Sequence, residues 1–248
     1  QMPWPTSKIW GKKEKKNISD TTMYLIFHGE TSKAEDFLNK TDLHSKIKAD
    51  NNSFIAFNST ANNWFSHERK NIKDNDFIIK MINKIKDFKD FIYKYKNIKI
   101  IAYSSGASLI NKFICEDKLN GINKYLLING SGKKDWLQNC STYKNKNIVL
   151  INSTKDDYYY YDTVEVIKTE IKTKRPEEGF ITIKEYSDNI RIKQKCKSDP
   201  ILSEIDNVLE DSSHIEHKIY SCNNNDLEIY LLNNAGHNIP QTINYNLE

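Results

Sequence analysis

An α/β fold, with a mostly parallel central sheet and helices on both faces, is what the sequence predicts, and three observations carry that reading. Short apolar runs of strand length recur along the chain and alternate with stretches of helical spacing, the pattern of successive strand-helix-strand units. One run, Ile98 to Ala102, passes through a Ser/Gly turn directly into the apolar stretch Ala107 to Ile114, a strand-turn-helix junction. At 248 residues and 29.0 kDa the chain is long enough to bury one large core. A single domain over 1–248 is therefore expected, with 1–20 as an N-terminal extension.

Strands are expected near 22–27, 53–57, 98–103, 123–129, 147–151 and 227–232. The run Met23-Tyr24-Leu25-Ile26-Phe27 has no polar alternation, as in a strand covered on both faces. The helices fall between the strands. Phe77, Ile78, Met81, Ile82 and Ile85 recur at helical spacing behind Asp76, and acidic residues favour a helix N-terminus, so a helix is predicted from Asp76 toward Tyr93. Met81 and Phe88 belong to its core face. Gly179 to Cys196 reads as another helix, and Lys12 to Lys16 as a polar loop. No internal repeat or low-complexity linker interrupts the pattern.

Three short islands at the ends of predicted strands carry the chemistry. In Ala102-Tyr103-Ser104-Ser105-Gly106, Ser104 sits on the turn between strand and helix. Such a turn crowds the backbone, so the residues two before and two after the serine must be small, as Ala102 and Gly106 are. Taken alone, the pentapeptide is equally an ordinary Ser/Gly turn. The second island, Asn152-Ser153-Thr154-Lys155-Asp156, follows the run Asn147 to Ile151 and offers Asp156 or its neighbour Asp157 as a carboxylate. The third, Asn234-Ala235-Gly236-His237, follows Leu227 to Leu232. The order Ser, Asp, His is that of a nucleophile, an orienting acid and a general base. An earlier run ends in His28-Gly29-Glu30, a loop position from which a backbone N–H can join that of the residue after the nucleophile. Glu30 and Ser105 are the expected oxyanion-hole donors; His28 is expected to be a buried histidine that holds the loop.

Composition narrows the alternatives. A net charge of +4 with scattered lysines gives no basic stripe for nucleic acid. Mean hydropathy of −0.71 and short apolar runs give no membrane span. No Cys-x-x-Cys or Cys/His cluster points to a metal, and no cofactor is expected. Seven Asn-x-Ser/Thr sequons occur; those at Asn17, Asn39, Asn51, Asn58 and Asn139 are open to glycans in a secreted chain, whereas Asn129 and Asn152 abut strand ends near the three islands. The first residue, Gln1, fits a mature chain after signal-peptide removal or a cloning boundary, and Leu247-Glu248 resembles a cloning scar, so the natural chain is expected to continue.

Six motifs in order resemble one family. They are Phe27-His28-Gly29; Ser32-Lys33-Ala34-Glu35-Asp36-Phe37; Asp74-Asn75-Asp76-Phe77-Ile78; Tyr103-Ser104-Ser105-Gly106-Ala107; Asn152 to Asp156; and Ala235-Gly236-His237-Asn238-Ile239-Pro240. From about residue 22 to 240 the chain is similar to the α/β-hydrolase family of secreted feruloyl and acetylxylan esterases and polyhydroxybutyrate depolymerases. The resemblance implies an α/β-hydrolase fold and a serine carboxylic-ester hydrolase with Ser104, Asp156 and His237 as its triad; alignment of the second island with the family's His-Gly-Thr-Ala-Asp selects Asp156 over Asp157. It implies a secreted feruloyl esterase acting on feruloylated or acetylated plant polysaccharide, with an acetylxylan or polyhydroxybutyrate-type esterase as the nearest alternative and a non-catalytic carbohydrate-binding protein as an alternative of another class.

Two further expectations rest on the resemblance. Cys115, Cys140, Cys196 and Cys222 stand where the family often has cysteines; four cysteines allow three connectivities, and the pairing implied is Cys196 with Cys222 and Cys115 with Cys140, the other reading being four buried thiols. The tyrosines from Tyr158 to Tyr161 replace the family's Val-Pro-Tyr, and Ile239 replaces its Trp. Tyr158, Tyr159, Ile239 and, on a loop after the second strand, Trp64 are expected to line the substrate mouth, where aromatics can stack on a feruloyl ring or a sugar. The Tyr run also reads as a half-buried loop alternating inward and outward.

Overall fold

The computed structural model describes residues 22–59, 64, 72–87, 95, 97–122, 124–141, 143–162, 179–205 and 214–237. Within them the elements follow as β1 (Thr22–Phe27), α1 (Ala34–Thr41), α2 (Leu43–Ala49), β2 (Ser53–Phe57), α3 (Ile72–Asp87), β3 (Asn97–Tyr103), α4 (Ser105–Cys115), β4 (Lys124–Ile128), α5 (Lys134–Gln138), β5 (Asn147–Ser153), α6 (Ile183–Lys193), β6 (Ile201–Ile205), β7 (His214–Ser221) and β8 (Asp226–Asn233). All eight strands form one sheet in the order β2-β1-β3-β4-β5-β8-β7-β6. Pairing is parallel from β2 through β8 and antiparallel for β8-β7 and β7-β6.

The predicted helices on both faces are present, and β1 shows why its sequence required them. Its side chains point alternately to the two faces. Met23, Leu25 and Phe27 enter one core with Ile78 and Ile82 of α3, Leu109, Ile110 and Phe113 of α4, and Tyr186 and Ile190 of α6. Tyr24 and Ile26 enter the other core with Phe37 of α1 and Leu43 and Ile47 of α2. A strand buried on both sides has no polar face to show, hence the uninterrupted apolar run.

The α4 helix and the six parallel strands lie within two residues of their expected positions. Two expectations are corrected. The helix expected over 179–196 is confined to Ile183–Lys193 because the Thr182 hydroxyl accepts from the Glu185 N–H at 3.1 Å and caps it, while Lys195 adopts φ 56° just past its end. The helix expected from Asp76 begins at Ile72, and its extension toward Tyr93 lies outside the described residues. Strands β6 and β7 were not expected. They form one margin of the sheet, where Leu202, Ser203 and Glu204 are exposed and β7 is mostly half-buried, so their sequences mix charge with apolar residues and lose the periodic signal.

The structure pairs Cys115 with Cys140 and Cys196 with Cys222. The first ties the end of α4 to the segment after α5; the second ties the segment after α6 to the β7-β8 turn. No helix among the described residues is long and apolar enough to cross a membrane.

Candidate active site

Ser104, Asp156, His237 and His28 all follow the C-terminal ends of parallel strands, β3, β5, β8 and β1 in turn, the edge where open α/β sheets present their ligand sites. Ser104 occupies the tight turn between β3 and α4 with φ 52° and ψ −122°, a region that residues other than glycine rarely occupy and that is held only by over-determined surroundings. Those surroundings are visible. The Ser104 N–H donates to the Ile128 carbonyl at 2.8 Å, and the Ser104 carbonyl accepts from the Ser108 N–H at 3.0 Å. A Cβ on Gly106 would stand 2.5 Å from the His28 carbonyl oxygen, and one on Gly130 would stand 2.5 Å from the Ala107 Cβ. Both glycines therefore let α4 lie flush against the ends of β1 and β4.

The turn aims the Ser104 Oγ at the imidazole of His237, 2.8 Å from Nε2. On the far side of the ring, Nδ1 lies 2.7 Å from Asp156 Oδ2. A carboxylate only accepts, so Nδ1 carries the proton and Nε2 is left to accept from the serine hydroxyl. The other oxygen, Oδ1, accepts from the Tyr158 and Tyr159 N–H groups, each at 2.8 Å. The buried carboxylate thus has both oxygens occupied. Asp157 is exposed and not part of this line.

Tyrosine rings surround the imidazole. The centroids of Tyr158, Tyr103 and Tyr159 lie 4.6, 5.4 and 5.9 Å from it. The approach to His237 is held by the Lys155 N–H to the Ala235 carbonyl at 3.0 Å and the Asn234 N–H to the Thr154 hydroxyl at 3.0 Å. The Tyr103 hydroxyl donates to the His237 carbonyl itself.

Solved structures of low sequence identity share this architecture. The chain aligns with an acetyl xylan esterase from Aspergillus awamori at TM-score 0.59 and 12% identity, over 90% of this chain and 85% of that one. It aligns with an uncharacterized protein from Bacillus cereus at TM-score 0.56 and 9% identity, over 94% of this chain and 59% of that one. An esterase from Pyrococcus furiosus aligns at TM-score 0.50 and 15% identity, over 89% and 74%. The fold is that of the α/β-hydrolases. The chain spans about three-fifths of the length of the Bacillus cereus protein. No protein-family model matches the sequence, and no curated protein does.

In this α/β-hydrolase frame the residues that carry the two expected oxyanion donors both adjoin the serine turn, Ser105 in sequence and Glu30 through its neighbour Gly29. Ser105 opens α4, so its N–H belongs to the helix N-terminus, where the first amides lack intrahelical partners and the dipole favours negative charge. Glu30 follows Gly29, whose Cα is so close to the elbow that an added Cβ would stand 3.1 Å from the Ser104 Cβ and 2.8 Å from the Tyr103 ring. His28 fixes this loop. Its Nδ1–H donates to the Gly29 carbonyl at 2.6 Å and its Nε2 accepts from the Ser59 N–H at 3.4 Å, a pattern that only the neutral ring can satisfy. Burial lowers its pKa below the ordinary 6.5, against the opposing pull of the Gly29 carbonyl and Asp36.

The expected mouth residues separate. Tyr158 is 53% exposed, with its ring beside His237. Tyr159 is 1% exposed, with its hydroxyl accepting from Ser108 Oγ at 3.0 Å; it supports the imidazole from below and offers no wall. Trp64 does not line the mouth either. It is 2% exposed, its indole N–H donates to the His28 carbonyl at 2.7 Å, and its ring meets Phe27 edge-on. It is a core residue packed against the His28-Gly29 loop, because a tryptophan gains most by burying its ring where its N–H still finds an acceptor. Ile239 lies outside the described residues. The Tyr103 hydroxyl contact was not read from the sequence; the available signal was its place directly before the serine.

Proposed function

We propose that this protein is a secreted serine carboxylic-ester hydrolase, most specifically a feruloyl esterase of plant cell-wall polysaccharide. The observation that carries the hydrolase reading is the continuous line from Ser104 Oγ through His237 to Asp156, at 2.8 and 2.7 Å, set on a strained strand-helix turn. Ser104 Oγ attacks the ester carbonyl carbon and His237 Nε2 takes its proton, while Asp156 stabilises the imidazolium. The Glu30 and Ser105 N–H groups hold the developing oxyanion. The tetrahedral species collapses as His237 returns the proton to the departing alkoxide. Water, deprotonated by His237, then attacks the acyl-enzyme and releases the acid with Ser104 regenerated.

The feruloyl reading is supported by Tyr158, an exposed ring 4.6 Å from the His237 ring and placed to stack on an aromatic acyl group. Secretion is supported by the two disulfides, which persist in oxidising compartments. An acetylxylan esterase is the second reading, favoured by the shared fold of the Aspergillus awamori enzyme. Product analysis on methyl ferulate, acetylated xylan and polyhydroxybutyrate separates the substrates. Ferulate release supports the first reading, acetate release alone moves the assignment to the second, and absence of both together with no labelling by a fluorophosphonate supports a carbohydrate-binding protein.

A further inference from the structure

Tyr103 touches three of the four segments that the proposed chemistry depends on: the Ser104 turn, the Gly29-Glu30 loop and the His237 loop. It is the last residue of β3, so its backbone leads directly into the Ser104 turn. Its ring lies against Gly29 of the oxyanion loop, so closely that a Cβ there would stand 2.8 and 2.9 Å from two ring carbons, and it stacks on Phe37 of α1 at 5.8 Å. Its hydroxyl donates to the His237 carbonyl. The same residue whose side chain accepts from Ser104 is thereby tethered, through its main chain, to the neighbour of Ser104.

The geometry has a functional consequence. His237 sits on a loop beyond β8, and, apart from the side-chain bond to Asp156, the two other hydrogen bonds described above hold the main chain only at Asn234 and Ala235, two or three residues before the imidazole. Rotation about the intervening bonds at Gly236, whose surroundings are open enough that an added Cβ would find only the Lys155 carbonyl at 3.7 Å, would swing Nε2 away from Oγ without breaking either tether. Fixing the His237 carbonyl removes that freedom. We infer that Tyr103 is a positioning residue for the acyl-transfer step: its hydroxyl sets the reach of His237 to Ser104, and its ring sets the height of the Gly29-Glu30 peptide against the elbow. This rests on Ser104 and His237 acting as nucleophile and base.

Tyr103→Phe tests the hydroxyl alone, because the ring and its packing on Gly29 and Phe37 are kept. With the full-length chain well below its melting temperature, Tyr103→Phe should lower kcat about tenfold to a hundredfold, by the same factor on p-nitrophenyl acetate and methyl ferulate, with KM unchanged. The rate of fluorophosphonate labelling at Ser104 should fall by a similar factor, and the far-ultraviolet circular dichroism and melting temperature should stay near the parent's. Tyr103→Leu, which also removes the ring, should lose more activity than Tyr103→Phe. A parental kcat in Tyr103→Phe, a change confined to KM, or a loss seen only where the variant has begun to unfold would overturn the inference. A parent that hydrolyses neither ester and takes up no fluorophosphonate would overturn the hydrolase reading itself and this one with it, which distinguishes the two failures.

Discussion

The His28 Nδ1–H donates to the Gly29 carbonyl at 2.6 Å, and that one bond orients the peptide whose other end is the Glu30 N–H. In a trans peptide the carbonyl and the following N–H point in opposite directions, so anchoring the Gly29 carbonyl also fixes the direction of the Glu30 N–H. The ring does this only while neutral, since Nε2 must accept from Ser59.

A pH dependence of stability follows with a definite sign. Burial depresses the folded-state pKa of His28 below 6.5, so well above pH 6.5 the ring is neutral in both states and its contribution is complete. As pH falls below that value, the unfolded chain takes up a proton that the folded protein resists, and stability declines until the folded-state pKa is passed. Melting temperatures between pH 7.5 and 5 should fall more steeply for the parent than for His28→Gln. Parallel profiles would contradict the assignment.

Gly106 is predicted to tolerate no side chain. The atom that a Cβ would strike at 2.5 Å is the His28 backbone oxygen, which cannot swing aside. Gly106→Ala should cost about 1–3 kcal/mol, the usual range for overpacking a close-packed site, and should lower kcat because relief requires moving α4 off the elbow. Denaturant unfolding and steady-state kinetics on one preparation would check both.

Tyr158 is predicted to divide the acyl specificities. Losing one offset aromatic contact of about 0.5–1.5 kcal/mol corresponds to a rise in KM of about two- to thirteenfold. Tyr158→Ala should show that rise on methyl ferulate and none on p-nitrophenyl acetate. Equal effects on both esters would assign Tyr158 to support of His237 and not to acyl recognition.

The Cys196-Cys222 disulfide closes a loop of 26 residues, for which the chain-entropy account gives about 3.5 kcal/mol of stabilisation. Replacing both with serine should lower the midpoint of denaturant unfolding by a corresponding amount. Because the bridge joins the segment after α6 to the β7-β8 turn, away from the C-terminal strand edge that carries Ser104, kcat at 25 °C should be retained.

Which parts of this structure the sequence disclosed depended on burial. The central strands were legible because residues such as Leu25 and Ile100 are wholly buried, so their runs are mostly apolar, broken by single charges such as Lys99 in β3 and Glu228 in β8. Strands β6 and β7 were not, because an exposed margin permits Glu204 and Lys218 among the apolar positions. Ser104, Asp156 and His237 were readable because each sits directly past a legible strand, and a strained turn such as that at Ser104 admits few residue types. Trp64 was misread because burial of a tryptophan on a loop depends on an acceptor thirty-six residues away, the His28 carbonyl, which no local pattern reveals. The Tyr103-His237 contact spans 134 residues and was hidden for the same reason.

Hydrolysis of p-nitrophenyl acetate by the parent and by Ser104→Ala, at equal folded concentration, tests the central claim most directly. The account predicts turnover by the parent and, for the variant, loss of activity by at least about a thousandfold, as expected when a covalent nucleophile is removed from its base. Turnover that survives Ser104→Ala unchanged would contradict it.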